Sequence, residues 1–311
     1  MEGLRHTHIE LPDGVIKYEG KVRDVYIRGD KFISVASDRI SAFDHILPRT
    51  IRYKGQVLNQ TAAYFLGSVS DIVPVWLESV PDPNISVGKT CDPIRIEMVI
   101  RGYLTGHSWR EYKAGKRILC GEEMPDGMSE NDPFPEPIIT PSTKAVSGHD
   151  VDISKAEIIS QGLVDPVLYG QMEEKAKQLF KRGQEMAISR GLILVDTKYE
   201  FGLYRDELTL MDEIHTPDSS RYFYLDTYFE NQLRGLPQNQ LSKEFVREWL
   251  ISKGFQGREG DVMPEMDDEM AHTVSERYIH LYETITGRTF ERTPYEDIDV
   301  RIEGVLRKLL D

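Results

Sequence analysis

The stretch LILVDTKYEFGLYRDELTLMDEIHTPDSSRY, residues 192–222, restricts the fold more than any other segment, because its periodicity changes in mid-strand. Leu192 to Val195 is a short apolar run after Gly191, the pattern of a strand packed on both faces. Asp196, Lys198 and Glu200 then alternate with Thr197, Tyr199 and Phe201, which gives the same strand one polar and one apolar face. Gly202 and the polar group Arg205, Asp206 and Glu207 predict a turn, after which Leu208, Leu210 and Asp212 share a face of a returning strand. With the turn centred near Asp206, Glu200 and Asp212 face each other and Lys198 lies two residues along. Two readings fit this acidic pair beside an amine: a solvated hairpin face carrying a surface ion pair, or a divalent-metal site, since Mg²⁺ takes one or two carboxylates plus phosphate oxygens. The dense polar loop that follows, Met211 to Arg221, is the kind of segment on which sites are built.

A chain of 311 residues has room for roughly two domains and a large core. Its net charge of −14 argues against nucleic acid or an anionic membrane as a partner, because both need a basic face, and leaves small molecules. Cys91 and Cys120 lie far apart without metal-ligand spacing, so neither a disulfide scaffold nor a zinc site is indicated. The start, MEGLRHTHIELPDG, lacks a signal-peptide layout, and no run of roughly 18 apolar residues would span a bilayer. A cytoplasmic protein, monomer or small homo-oligomer, is expected.

Alternation through VIKYEGKVRDVYIRGDKFISVAS predicts an N-terminal β-rich layer. A helix is predicted over Gln56 to Val69, and IRIEMVIRGYL returns to strand character from Ile94, so a domain junction is placed near Pro93. That gives residues 1–93 as a β-rich domain and 94–311 as an α+β domain with C-terminal helices. The Pro- and Gly-rich stretch between Cys120 and Pro141 reads as a long exposed loop. Ser154 with Glu157 is a capping-box pattern. Gln171 to Arg190 sets Met172, Ala176, Leu179, Phe180, Gly183 and Ala187 on one helical face, and further helices are expected after Ser242, over Met266 to Thr286 and over Asp299 to Leu310.

Polar chemistry gathers in several other segments. EGKVRDVY puts Lys21, Arg23 and Val25 on one strand face beside Gly20, either a phosphate-binding strand or one of many ordinary GKxR strands, with no Walker or GxGxxG pattern anywhere. SDRISAFDH brings Asp38, Arg39, Ser41 and Asp44 together after a strand, which also describes a hydrogen-bonded turn. Arg101 ends the IEMVIR strand and leads into GYLTGHSW, where Gly102, Gly106 and Ser108 suit an anion-binding turn as well as a structural one. TPSTKAVSGHD collects hydroxyls, Lys144, His149 and Asp150 in one loop.

Together, GKVRDVY, SDRISAFD, EMVIRGYLTG, TPSTKA with GHD, VDTKYEFG and DEIHTPDSSR resemble, in order, the signature segments of the phosphoribosylaminoimidazole-succinocarboxamide synthase (SAICAR synthetase) family. The resemblance runs from about Gly20 to Trp249, and the length is similar to the longer monofunctional form. It implies an α+β fold of two layers, a mostly antiparallel N-terminal β domain and a larger α+β domain resembling ATP-grasp or kinase-like halves, with an ATP cleft between them. It further implies an ATP-dependent ligase joining L-aspartate to carboxyaminoimidazole ribonucleotide (CAIR), giving SAICAR, ADP and phosphate with Mg²⁺. On the matching positions, Gly20, Lys21 and Arg23 would meet ATP phosphates, Glu200 and Asp212 would hold Mg²⁺, and Lys198 and Lys144 would lie at the transferring phosphoryl group. Asp44 would lie near the CAIR carboxylate through a metal ion, and Arg101, Arg221 and Ser108 would bind the nucleotide substrate. The family often has Ser directly after the second glycine of RGYLTG, where this chain has His107 and only then Ser108. A carboxylate resists attack by an amine because its leaving group would be oxide, so activation as an acyl phosphate is expected, and phosphoryl transfer asks for positioning and charge neutralisation. Two other functions remain open: a kinase-like phosphotransferase, which lacks HRD and DFG patterns here, and a non-catalytic nucleotide-binding regulator.

Overall fold

The computed structural model describes residues 3–43, 45–144, 151–242 and 244–311, and two antiparallel sheets organise it. Alternating sequence at the N-terminus forms β1 (Ile16–Glu19), β2 (Arg23–Arg28) and β3 (Lys31–Ala36), which pair in succession through short turns. A two-residue hairpin follows, β4 (Ser41–Ala42) with β5 (His45–Ile46), and then α1 (Lys54–Ser68), close to the predicted helix. β6 (Leu77–Asp82) and β7 (Ile85–Lys89) complete a five-stranded sheet in the order β1-β2-β3-β7-β6.

The second sheet begins with β8 (Asp92–Tyr103). After α2 (Gly106–Lys113) come the small hairpin β9 (Ile118–Leu119) and β10 (Glu122–Glu123), then β11 (Pro133–Ile139), β12 (Ser142–Thr143) and β13 (Val151–Asp152). The expected loop from Cys120 to Pro141 is therefore partly a strand. Phe134, Ile138 and Ile139 are buried there, and β11 pairs with the C-terminal half of β8 through a register shift. Three prolines are tolerated because this is an edge strand, whose outer N–H groups need no ladder partner.

The capping box opens α3 (Lys155–Ser160), with Ser154 and Glu157 bonded reciprocally. α4 (Pro166–Ile188) starts earlier than the apolar spacing predicts, because Asp165 caps it and Pro166 takes its first turn, where the missing N–H costs nothing. Met172, Ala176, Leu179, Phe180, Gly183 and Ala187 form its buried face as predicted. Gly191, with φ +71°, turns the chain into β14 (Leu192–Tyr204), which folds back as β15 (Glu207–Met211). β16 (Ser220–Tyr224), α5 (Leu225–Arg234), β17 (Gln240–Leu241), α6 (Glu244–Ser252), α7 (Asp268–Thr286) and α8 (Ile298–Leu310) complete the chain.

β14 runs between β8 and β16 in the centre of the larger sheet, and α4 packs across that sheet, so Leu179, Phe180, Leu192, Leu194, Tyr199 and Phe201 share one core. A second core joins α1 to α6 and α7. A third holds α8 against the five-stranded sheet, with Ile298, Ile302 and Leu306 on Tyr26, Ile33 and Val35. The two sheets meet at the β14–β15 hairpin: Val75 bridges Leu210, Trp76 N–H donates to the Leu210 carbonyl at 3.0 Å, and the Trp76 indole packs edge-on against Phe32. Among the described residues no helix is long and apolar enough to cross a membrane.

Candidate functional site

The β14–β15 hairpin turns through Arg205 and Asp206, both at positive φ (52° and 64°), and Tyr204 pairs with Glu207. This register sets Glu200 opposite Met211, not opposite Asp212 as the sequence suggested. Asp212 lies one residue beyond the strand at φ +54°, a left-handed step that breaks the alternation; its carbonyl accepts from the Trp76 indole N–H at 2.8 Å. Asp212 nonetheless acts on Glu200, raising its carboxyl, and Lys198 and Lys144 act on both acids.

Across the other side of β14, Glu200 stands directly opposite Glu97 of β8. Like charges so placed repel. Lys198 relieves this, its ammonium 2.6 Å from Glu97 and 3.3 Å from Glu200. Burial works against that ammonium, but the carboxylates of Glu200, Glu97 and Asp212 outweigh it and hold Lys198 above its usual range. Lys144, at the end of β12, donates to the second oxygen of Glu200. Burial pushes Glu200 up, Asp212 adds to this, and Lys198 and Lys144 oppose it. Asp212 stays below its ordinary value: burial raises it, but Arg23, Lys198 and Lys144 prevail.

Arg23, at the start of β2, reaches from the smaller sheet to pair with both Asp212 and Glu213, the latter at 2.6 Å. Gly20 and Lys21 form the turn before it. The Gly20 N–H donates to the Arg23 carbonyl at 2.8 Å, and the carbonyls of Gly20 and Lys21 accept from the buried Arg39 guanidinium at 3.0 and 3.1 Å. Lys21 itself is exposed.

Next to Lys198 lies a pocket of about 220 Å³ lined by arginines 101, 110, 221 and 247, with His107, Lys198 and Ser219 also at its wall. Among the described residues its one acid is Asp196, buried on β14, which accepts from Arg221 Nε at 3.1 Å and forms ion pairs with Arg221 Nη2 at 2.9 Å and Arg101 at 3.5 Å. Arg101 is oriented further by donating to Thr140 at 2.8 Å. Gly106, at φ +57°, lets Arg221 through: a Cβ there would stand 2.0 Å from its Nη1. A larger open hollow of about 580 Å³ between the 237–242 segment, α6 and α7 contains none of the predicted site residues.

Arg23, Lys144, Lys198, Glu200 and Asp212 thus converge, and Arg101 and Arg221 adjoin them in the pocket. Ser108 does not join them: it is buried in α2 with its hydroxyl donating to the Thr105 carbonyl at 2.9 Å. The neighbouring His107 lines the pocket instead, 2.6 Å from Asp152. Asp44 lies outside the described residues, as do His149 and Asp150. Glu97, Trp76, Arg110 and Arg247 went unnoticed in the sequence, where Glu213 figures only as part of the polar loop 211–221. Each depends on a long-range register or packing contact; only Glu97 left a trace, as the polar position within IRIEMVIR.

The profile of the SAICAR synthetase family matches residues 16–262. The phosphoribosylaminoimidazole-succinocarboxamide synthase of Cytophaga hutchinsonii is 55% identical over 310 residues, 99% of this chain and 100% of that protein. The enzyme of the same name from Bacteroides thetaiotaomicron is 55% identical over 97% of each chain. The chain belongs to the SAICAR synthetase family. Its solved relatives agree: SAICAR synthase from Saccharomyces cerevisiae, complexed with SAICAR, superposes with a TM-score of 0.78 at 31% identity, covering 92% of this chain and 99% of that one. A SAICAR synthetase (type 2) in complex with ADP shares the fold, with a TM-score of 0.68 at 24% identity over 89% of this chain and 100% of its own. As a SAICAR synthetase, the chain is a carbon–nitrogen ligase of purine biosynthesis that uses ATP.

Proposed function

We propose that the space between the β14–β15 hairpin and the start of β2 is where this ligase carries out phosphoryl transfer. ATP phosphates would lie against Gly20, Lys21, Arg23 and Lys198, and CAIR would lie in the arginine pocket with its phosphate on Arg101 and Arg221. The observation that carries this reading is the adjacency of two unlike sites: an acidic pair threaded with Lys198, Lys144 and Arg23, and a pocket whose arginines outnumber, among the described residues, its single acid. A phosphate dianion suits the second, because planar guanidinium groups bind it in pairs. The cleft would divide an N-terminal unit, residues 1–93, from a substrate- and metal-binding unit, residues 94–311.

Glu200 and Asp212 fit Mg²⁺ as donors. Both present hard carboxylate oxygens on a rigid hairpin, and both are now engaged by protein cations that a divalent ion would compete with. When bound, the metal would neutralise phosphate charge. Among the described residues the one trio of close metal-capable side chains, His6, Glu19 and Asp24, is already occupied by Arg39 and Lys17. Lys198 would stabilise charge on the phosphoryl group as it leaves ADP for a CAIR carboxylate oxygen, and Lys144 would assist. Attack of the aspartate amine on the acyl phosphate would then form the amide and release phosphate. Asp44 is assigned to the CAIR carboxylate on sequence grounds, and a cytoplasmic location suits a pathway of small phosphorylated metabolites.

The test is ADP release measured with each substrate omitted in turn, using CAIR labelled with ¹⁸O in its carboxylate. Strict dependence on ATP, Mg²⁺, CAIR and aspartate, with one label passing into phosphate, is the expected outcome. Unlabelled phosphate would overturn the acyl-phosphate route.

A further inference from the structure

We propose that His215 and Tyr199 form a clamp behind the hairpin that fixes the spacing between Glu200 and Asp212, and with it the grip of the site on metal-bound nucleotide. The inference rests on the reading of Glu200 and Asp212 as metal ligands. Tyr199 lies between Lys198 and Glu200 on β14 but points to the opposite, apolar face, fully buried. His215 lies three residues after Asp212, also fully buried, and its Nε2 is 2.7 Å from the Tyr199 hydroxyl. One hydrogen bond therefore ties the back of the strand that carries Glu200 to the turn that carries Asp212. A second holds the turn to the next strand, the Tyr222 hydroxyl donating to the His215 carbonyl at 2.7 Å.

Three features show that the fold accommodates this imidazole at a cost. His215 adopts φ +57°, unfavourable for a residue with a Cβ. Its Nδ1 is buried with no hydrogen-bond partner among the described residues, a penalty that a leucine or phenylalanine in the same apolar surroundings would avoid. α4 makes room with Gly183, where a Cβ would stand 2.5 Å from the His215 Cε1. Phe65 packs edge-on at 5.0 Å and closes the chamber. The ring is neutral throughout the physiological range, since burial lowers it to about 3. It thus adds no charge to the site. What remains is its reach to Tyr199. His215 and Tyr199 are positioning residues: neither touches the reacting groups, and both set where the carboxylates stand.

The experiment is calorimetry of ADP binding with and without Mg²⁺, which gives the factor by which the metal tightens ADP, measured for the full-length protein, Glu200→Gln, Tyr199→Phe, His215→Gln and His215→Leu. Tyr199→Phe keeps the ring and deletes the hydroxyl; it should cut that factor by about threefold to tenfold, the size of one buried hydrogen bond, and leave metal-free ADP binding unchanged. His215→Leu should do the same, and His215→Gln, whose amide reaches to the Nε2 position, should restore at least half of the loss. If Glu200→Gln leaves the factor intact, the metal-ligand reading itself fails. If Glu200→Gln lowers it while Tyr199→Phe leaves it at the wild-type value, the clamp is overturned and the pair stands. Should His215→Leu fail to fold, Tyr199→Phe decides alone.

Discussion

Asp212 holds Arg23 within the protein, and in the proposed site it would also ligate Mg²⁺. Its neutralisation therefore has two expected consequences. Asp212→Asn or Glu200→Gln should lower kcat by at least about a hundredfold, as loss of one well-placed electrostatic group does. Asp212→Asn should also cost about 1–2 kcal/mol of stability in urea unfolding, because Arg23 loses a charged partner and keeps only Glu213. Repulsion between the two acids would favour the mutant, but Lys198 and Lys144 already screen it. The pair at Gly106–Ser108 yields a second expectation. Ser108 bonds the Thr105 carbonyl and does not line the pocket, so Ser108→Ala should leave the KM for CAIR unchanged, whereas His107→Ala should raise it about tenfold. Steady-state kinetics of the two variants, with CAIR varied at saturating ATP and aspartate, distinguishes them.

The hairpin itself sets the register of the site. Both turn residues, Arg205 and Asp206, lie at positive φ, the geometry that an asparagine–glycine pair adopts without strain. The double substitution Arg205→Asn with Asp206→Gly should raise stability by about 0.5–1 kcal/mol, the loss of the exposed Arg205–Asp30 pair being small by comparison. Turnover should not change, because the Glu200–Met211 register is kept; a measurable fall would mean that the turn acts on the site through something other than register. At the α3 end, Ser154→Ala should cost about 1 kcal/mol, since both bonds of the capping box are present.

Asp38 connects distant parts of the molecule. Its carboxylate accepts from the Leu4 N–H at 2.7 Å, the Gly55 N–H at 2.9 Å and the Tyr295 hydroxyl at 2.8 and 2.9 Å, which ties the N-terminal segment and the start of α1 to the chain that leads into α8. Burial pushes it up to about 6, against the help of these donors. A folded value above the unfolded one means that this group favours the folded state below about pH 4 and loses that advantage as pH rises through 6. The stability advantage of the wild type over Asp38→Asn should therefore shrink by about 2 kcal/mol between pH 4 and pH 7, as read by urea unfolding across that range. A constant difference would show that Asp38 titrates as it does in the unfolded chain.

The local pattern determined much of this protein. The alternation from Asp196 to Phe201 fixed which face of β14 is apolar, Ser154 with Glu157 marked a helix start, the spacing from Met172 to Ala187 gave the buried face of α4, and six ordered motifs carried the family. These were legible because each depends on residues a few positions apart. Tertiary structure alone decided the rest. Glu97 meets Glu200 only through the pairing of β8 with β14, Arg23 reaches Asp212 across 189 residues of chain, and β11 is a strand only because the edge of β8 accepts it despite its prolines. The left-handed step at Asp212, which moves its carboxylate out of register, has no local signal, because it is held by the Trp76 indole from the segment leading into β6 and by the buried turn around His215. Long-range register and packing are cooperative properties of the folded chain, and no window of sequence contains both partners.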